Sequence, residues 1–150
     1  MSRQDAAGCA IVDESGRVLL VHQTYGDRLW EVPGGIVAPG EPAWDAAVRE
    51  CREEIGVTPR APELAGLYFR SWSESYVFIF RVAEFLGTLR PDGTEIDDFG
   101  FFSLDDLPWP VTSFALQRLR DAVEFQGAPR LRAEQMADRH LVGRRSEGER

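Results

Sequence analysis

The stretch from residue 34 to residue 57, GGIVAPGEPAWDAAVRECREEIGV, constrains the chain most, because it places several carboxylates on one short helix directly after a glycine-rich loop. Pro42 suits the first position of a helix, where its missing N–H would be unpaired in any case. Gly56 suits the left-handed position just after a helix, and Pro59 prevents continuation. The stretch therefore predicts a helix over residues 42–55.

The two sides of this predicted helix differ in polarity. At about 100° per residue, the apolar side carries Trp44, Ala47, Val48, Cys51 and Ile55. Glu50, Glu53 and Glu54 gather on a different arc. Like charges at this spacing destabilise a helix by roughly a few tenths of a kcal/mol per pair, so a compensating charge is expected. Mg2+ is usually held by one or two carboxylates with water and substrate phosphates, whereas a solvated acidic face is the alternative.

The acids belong to a longer pattern. Gly35 is followed at fixed intervals by Glu41, by Arg49-Glu50 and by Glu53-Glu54, with apolar residues and glycine between and after them. This pattern resembles the box of the Nudix (MutT-like) hydrolases, G-x5-E-x7-R-E-U-x-E-E-x-G-U with U aliphatic. Cys51 stands at the first U position as a small apolar substitute.

The resemblance implies a fold and a site. The fold is α/β, the Nudix α/β/α sandwich with a mixed central sheet, and the cofactor is Mg2+, with Mn2+ as a substitute. The implied metal ligands are Glu50, Glu53, Glu54 and the carbonyl of Gly34. Glu50, Glu53 and Arg49 form the implied catalytic set, in which Arg49 orients a glutamate and any carboxylate not committed to metal can act as base. Glu41 is a helix cap or an outer metal ligand.

Length and charge limit the classes of function. A chain of 150 residues is one domain with room for a core, and its net charge of -8 argues against a nucleic-acid-binding surface. The sequence shows no signal peptide and no apolar run of membrane-spanning length, so we expect a cytoplasmic protein, as monomer or homodimer, with no membrane partner. Cys9 and Cys51 make no metal pattern and are expected to be reduced and buried.

Alternating apolar residues predict the remaining elements. Strands are expected at residues 6–13 and 17–23, joined as a hairpin, then at 29–32, and in a second hairpin at 63–70 and 76–85. A helix at 112–124, capped by Thr112 or Ser113, should pack on the sheet opposite the acidic helix. The hydrolase domain is expected to span 1–128, with 129–150 as a tail that holds a short amphipathic helix and then becomes disordered.

Substrate-binding residues are expected near the end of the second hairpin. Arg70, Trp72 and Tyr76 are the candidates, because aromatic faces stack on bases, although core or edge packing is the alternative for each ring. His22, at the end of a strand, is either structural or a substrate contact.

A further carboxylate is expected from a loop. The stretch EIDDFGFFSLDDLP resembles the segment that closes many Nudix domains, which implies that Glu95, Asp97 or Asp98 reaches the metals. A solvated acidic turn is the alternative.

Three classes of function remain. The favoured class is hydrolysis of a nucleoside diphosphate linked to another moiety, first of all a nucleoside triphosphate, with dinucleoside polyphosphates and nucleotide sugars as alternatives. A non-catalytic nucleotide-sensing module would predict eroded glutamates, and these are intact. An isoprenoid diphosphate isomerase would need a catalytic cysteine in its own motif, which Cys9 lacks. A P-loop and a G-x-S-x-G nucleophile motif are absent from the sequence.

Overall fold

The fold is built from two helices and a set of short strands. The computed structural model describes residues 3–145. In chain order the elements are β1 (Ala6–Ile11), β2 (Val18–Gln23), β3 (Trp30–Glu31), β4 (Gly34–Ile36), α1 (Ala43–Ile55), β5 (Val57–Arg60), β6 (Glu63–Arg70), β7 (Ser75–Val82), β8 (Glu84–Gly87), β9 (Ile96–Phe102), β10 (Val111–Thr112), α2 (Ser113–Val123), β11 (Arg130–Glu134) and β12 (Leu141–Val142). Neither helix in this part of the chain is long and apolar enough to cross a membrane.

The largest sheet is mixed, as predicted. It has five strands in the order β11-β6-β7-β1-β4, with β1 parallel to β7 and antiparallel to β4. The predicted hairpin of β6 and β7 forms, and β11 adds to its edge in parallel with β6. A second sheet places β2 between β3 and β9, while β5 pairs with β8 and β10 with β12.

Alternate residues of β1 and β2 point to opposite sides, as the two-residue period of a strand requires. On one side Cys9, Ile11, Leu19 and Val21 pack against α1. On the other side Ala10, Val12, Val18 and Leu20 pack with α2. Both faces of the central strands are therefore covered by a helix, which confirms the α/β/α sandwich and the predicted placement of the two helices. Cys9 and Cys51 are free and buried, as expected.

The predicted hairpin of β1 and β2 is only partly correct. The turn forms, with the Asp13 N–H donating to the Arg17 carbonyl at 2.9 Å, and the two arms meet at a bridge between Val12 and Val18. Beyond that bridge they diverge into different sheets. Both strands are apolar on both faces, so each one needs its own layer of neighbours, which a simple hairpin would not supply.

Helix α1 begins one residue later than predicted, ends where predicted, and has a different rotation. Pro42 precedes it in an extended conformation, and Gly56 follows it at φ 75°. Trp44, predicted in the core, is 57% exposed, whereas Glu54, predicted with the exposed acids, is only 6% exposed. The buried arc is centred near Ala47 and Glu54, roughly a sixth of a turn from the predicted centre at about 100° per residue. The helix thus brings one carboxylate against the sheet.

The predicted helix in the tail is wrong. Residues 130–134 form β11, and up to residue 145 the helical content after it is a single 3-10 turn, Met136–Asp138. A strand is favoured here because β6 would otherwise expose unpaired backbone groups at the edge of the sheet. Arg132 and Glu134 also form ion pairs with Asp121 and Arg118 of α2. Disorder is predicted over residues 143–150, and it is wrong at Arg144, whose N–H donates to the Leu107 carbonyl at 2.7 Å and whose side chain pairs with Asp106. Residues 146–150 lie outside the described residues.

Thr112 is expected to contribute measurably to the stability of α2. Its Oγ1 accepts a hydrogen bond from the Ala115 N–H at 3.0 Å, as predicted for a helix cap. Thr112→Ala should lower the free energy of unfolding by about 1 kcal/mol in urea denaturation, because this N–H would lose its partner. Thr112→Ser keeps the hydroxyl and is the matched control. Equal stability of the Ala and Ser variants would contradict this role.

Candidate functional site

Two glycines at the start of β4 let its backbone lie close to β1 on one side and to α1 on the other. A Cβ on Gly35 would lie 2.5 Å from Cδ of Glu50, and a Cβ on Gly34 would lie 2.5 Å from the Ala7 carbonyl oxygen. A side chain at either position would therefore displace its neighbour. The Glu50 carboxyl consequently lies directly against the backbone of β4.

Glu54 is the buried acid of the helix. Its Oε1 accepts a hydrogen bond from the Gly34 N–H at 3.1 Å. Burial raises the pKa of Glu54 to about 9, and the neighbouring Glu50 carboxyl adds to this increase, while the Gly34 N–H opposes it. Burying an unpaired negative charge is costly, so this carboxyl favours either a proton or a cation beside it.

Arg49 connects the acids of the site. Its Nε donates to Glu41 at 2.9 Å, and its Nη1 donates to Glu50 at 2.8 Å and to Glu53 at 3.3 Å. Its Nη2 also donates to the Ile36 carbonyl at 3.1 Å. The guanidinium thereby fixes three carboxylates relative to β4, which is the geometry of an orienting residue.

Glu41 belongs to this network. Its Oε1 accepts from the Ala38 N–H at 3.0 Å as well as from Arg49. The hydrogen bonds of Glu41 therefore close the loop before α1. They do not cap the helix.

The acids fit a hard divalent cation by their chemistry. Glu50 and Glu54 are neighbours, Glu53 is 59% exposed beside them, and every donor is oxygen. Within residues 3–145, no three acidic, histidine or cysteine side chains are already arranged to hold one metal ion together. The structure thus brings together a pair of carboxylates, Glu50 and Glu54, with Glu53 on the solvent side and the Gly34 backbone on the other.

The three acids of the predicted loop have different surroundings. Asp97 lies 2.6 Å from His22 Nδ1, and Asp98 accepts from the Phe99 N–H at 2.8 Å. The charge of Glu95 contributes to the raised pKa of Glu54. Glu95 is therefore the loop acid with an electrostatic link to the helix site, and Nδ1 of His22 is hydrogen-bonded to Asp97.

Asp92 was not predicted as a site residue. Its Oδ1 accepts from the backbone N–H groups of Thr94, Glu95 and Ile96, at 2.9 to 3.1 Å. Its own N–H donates to the Glu54 carbonyl at 2.9 Å. Asp92 thus holds the Glu95 loop on the end of α1. The dipeptide Asp92-Gly93 is a typical turn signal that indicates such a role.

A cleft of about 280 Å³ lies beside Gly34 and Gly35. Its polar lining comes from Gln23, Tyr25, Glu31, Arg70 and Arg118. Arg70, a predicted substrate-binding residue, is therefore at the cleft. The cleft is next to the acidic helix, so a ligand in it can reach both.

Among the described residues, the lining of the cleft does not include Trp72 or Tyr76. Trp72 stacks on Phe114 with ring centroids 5.2 Å apart, and Tyr76 packs against Phe69 at 5.3 Å. The structure therefore does not bring these rings together with the acids, and their substrate contacts stay predictions.

The sequence also did not predict three charged residues at or beside the cleft, which are Glu31, Arg118 and Glu134. Glu31 is the second residue of the two-residue strand β3, between Trp30 and Val32 in the sequence. The alternation of apolar and polar residues there does not indicate that the acid points into a cleft. Arg118 could have been noticed beside the buried Leu119, since a charge next to the core side of a helix needs a partner. The sequence does not indicate that Glu134 meets Arg118, because the periodicity of its segment predicts a helix and not the strand β11.

The NUDIX domain family matches residues 2–122. A putative 8-oxo-dGTP diphosphatase from Bacillus subtilis is 36% identical over 98 residues, which are 65% of this chain and 65% of that protein. An ADP-ribose pyrophosphatase from Methanocaldococcus jannaschii is 31% identical over 106 residues, covering 65% of this chain and 61% of that protein. The chain thus spans less than two thirds of the length of these relatives.

Among solved structures, the chain is similar to a MutT NUDIX hydrolase from Burkholderia pseudomallei. The TM-score is 0.72 at 28% identity, and the alignment covers 81% of this chain and 98% of that one. The similarity therefore covers most of this chain and nearly all of that protein.

Proposed function

Because this chain belongs to the NUDIX domain family, we propose that it is a hydrolase of phosphoric anhydride bonds that acts on a nucleoside diphosphate linked to another moiety, with Mg2+ as its cofactor. The observation that carries the proposal is the pair of adjacent carboxylates, Glu50 and Glu54, packed against the Gly34–Ile36 strand at the edge of the cleft. Such a pair suits a cation that also contacts phosphate oxygens, because the buried carboxyl of Glu54 needs a positive charge beside it when it is ionised.

The proposed roles of the acids follow from their positions. Glu50 and Glu54 would hold the metal ion, with Glu53 and the Gly34 carbonyl as further ligands. When bound, the ion supplies charge neutralisation on the diphosphate and lowers the pKa of a coordinated water. A carboxylate that does not bind the ion would accept the proton of the attacking water. Arg49 holds the side chains of Glu41, Glu50 and Glu53 in place through its hydrogen bonds.

We take a nucleoside triphosphate as the first substrate to test. The names of the relatives include both an 8-oxo-dGTP diphosphatase and an ADP-ribose pyrophosphatase, so a nucleotide sugar is the second substrate class. The cleft beside the acids has room for part of a nucleoside, and Arg70 at its lining would contact the substrate. Trp72 and Tyr76 remain proposed contacts for a group that extends beyond the cleft.

The test is a panel of nucleoside triphosphates, nucleotide sugars and dinucleoside polyphosphates. Each compound is incubated with the protein and Mg2+, Mn2+ or EDTA, and the products are separated by ion-exchange chromatography. We expect metal-dependent release of a nucleoside monophosphate, together with pyrophosphate when the substrate is a triphosphate. Absence of cleavage with both metals would overturn the proposed activity, and binding of nucleotides without cleavage would favour the sensing module.

A further inference from the structure

One ion pair at the cleft joins a residue inside the segment that matches the family, Arg118, to a residue after it, Glu134. Residues 2–122 match the NUDIX domain, whereas β11 lies later in the chain. Glu134, the last residue of β11, faces Arg118 of α2, with Nε to Oε2 at 3.0 Å and Nη2 to Oε1 at 2.5 Å. The two side chains are 12% and 7% exposed. A bidentate, buried pair of this kind has a well-defined geometry.

Glu134 determines where the Arg118 guanidinium lies. Arg118 lines the cleft, and a buried arginine without a partner would be costly and free to change its rotamer. Glu134 is itself fixed, since its carbonyl accepts from the N–H of Ser71 at 3.1 Å and from the Ser71 hydroxyl at 2.8 Å. Ser71, in the turn between β6 and β7, therefore fixes the end of β11, and the Glu134 carboxylate at that end fixes the Arg118 guanidinium.

Glu31 provides an acceptor at the same cleft. Its Oε1 accepts only a long bond of 3.3 Å from the Val32 N–H, and within residues 3–145 no arginine or histidine nitrogen lies within 4.0 Å of its carboxylate. Burial raises the pKa of Glu31, and the charge of Arg118, acting at longer range, opposes this increase. The cleft thus presents a carboxylate acceptor and a fixed guanidinium donor to one ligand.

We propose that Glu134 is a positioning residue that holds Arg118 so that Arg118 and Glu31 together recognise the edge of a nucleobase with an exocyclic amino group. The amino group donates to Glu31, and a ring nitrogen or carbonyl of the same edge accepts from Arg118. Guanine, cytosine and adenine carry such an edge, whereas uracil lacks the amino group. The inference rests on the proposed function only in taking the ligand to be a nucleotide.

The same strand offers a matched control. Arg132 of β11 pairs with Asp121 of α2, with Nε to Oδ2 at 2.8 Å and Nη2 to Oδ1 at 2.9 Å. Asp121 also accepts from the Tyr68 hydroxyl at 2.8 Å, in the core behind β6. Neither Arg132 nor Asp121 belongs to the lining of the cleft. Arg132→Gln therefore loosens β11 without removing the partner of Arg118.

The test measures binding without turnover. GMP, CMP, AMP, UMP and pyrophosphate are titrated by calorimetry into the parent protein and into Glu134→Gln, Glu134→Asp and Arg132→Gln. We expect the parent to bind at least one amino-bearing monophosphate about tenfold more tightly than UMP, since one well-placed polar pair contributes discrimination of this order. Glu134→Gln should remove the preference and leave pyrophosphate binding unchanged, Glu134→Asp should retain part of it, and Arg132→Gln should retain it.

Other outcomes overturn the inference. Equal loss in Glu134→Gln and Arg132→Gln would mean that Glu134 only anchors the strand, and a parent without base preference would remove the recognition site. If circular dichroism shows that Glu134→Gln is unfolded, Glu31→Gln takes its place, because the preference must also vanish when the acceptor is changed. A base preference without hydrolysis would sustain this inference while refuting the proposed activity, and hydrolysis without a base preference would do the reverse.

Discussion

Glu53→Gln is expected to lower kcat for nucleotide hydrolysis by about 100-fold or more, while the free energy of unfolding stays within about 0.5 kcal/mol of the parent value. Glu53 is 59% exposed, and its one described ion pair is with Arg49 at 3.3 Å. Its removal therefore leaves the core intact. The charge that it offers to a metal ion or to the proton of water is lost.

Asp45→Asn is the matched control, because it removes the same charge from an exposed position in the first turn of the same helix. Initial rates at saturating nucleotide and Mg2+ measure kcat, and urea denaturation measures stability. The control should hydrolyse at the rate of the parent. A Glu53→Gln variant that is as fast as the parent would remove Glu53 from the proposed site.

The second large effect is expected from Gly35→Ala, which adds one methyl group. The new Cβ would lie 2.5 Å from Cδ of Glu50, so the carboxyl must move. Because the displaced atoms are the end of a flexible side chain, the free energy of unfolding should fall by only about 1 kcal/mol. Activity should fall by about 100-fold, since misplacing a reacting group by about 1 Å has effects of this size.

Gly16→Ala separates this displacement from general strain. Gly16 lies in the turn between β1 and β2, has a φ of 81° and has no atoms within 4 Å of an added Cβ beyond its chain neighbours, so alanine costs about 1 kcal/mol there, away from the acids of α1. The two variants should have similar midpoints in urea, and only Gly35→Ala should lose activity. Equal activity per folded molecule in both variants would show that the position of Glu50 does not matter.

Local signals in the sequence were sufficient for the bounds of α1 and for the proximity of Arg49, Glu50 and Glu53. Pro42 and Gly56 act on the helix ends through their own backbone preferences, and residues three or four apart on a helix are neighbours in any fold. These features need no knowledge of the remaining chain. The burial of Glu54 was missed, because the rotation of α1 is set by how it packs on β1 and β2.

The pair of Glu134 and Arg118 at the cleft was missed for a different reason. Glu134 meets Arg118 only because β11 pairs with β6, and that pairing depends on an open sheet edge formed far earlier in the chain. The periodicity of residues 133–141 fits a short helix, and the need to cover the edge overrides it. Glu31 similarly becomes a cleft residue through the pairing of β3 with β2.

The proposed activity requires a divalent cation at Glu50, Glu53 and Glu54. Crystals grown with saturating Mn2+ and measured for anomalous scattering test this directly, because Mn2+ suits carboxylate ligands and is visible by its own signal. We predict an anomalous peak in direct coordination with Glu50 and Glu54, which is absent from crystals grown with EDTA. A map with no peak beside these carboxylates, from protein that hydrolyses nucleotides in the same solution, would contradict the account.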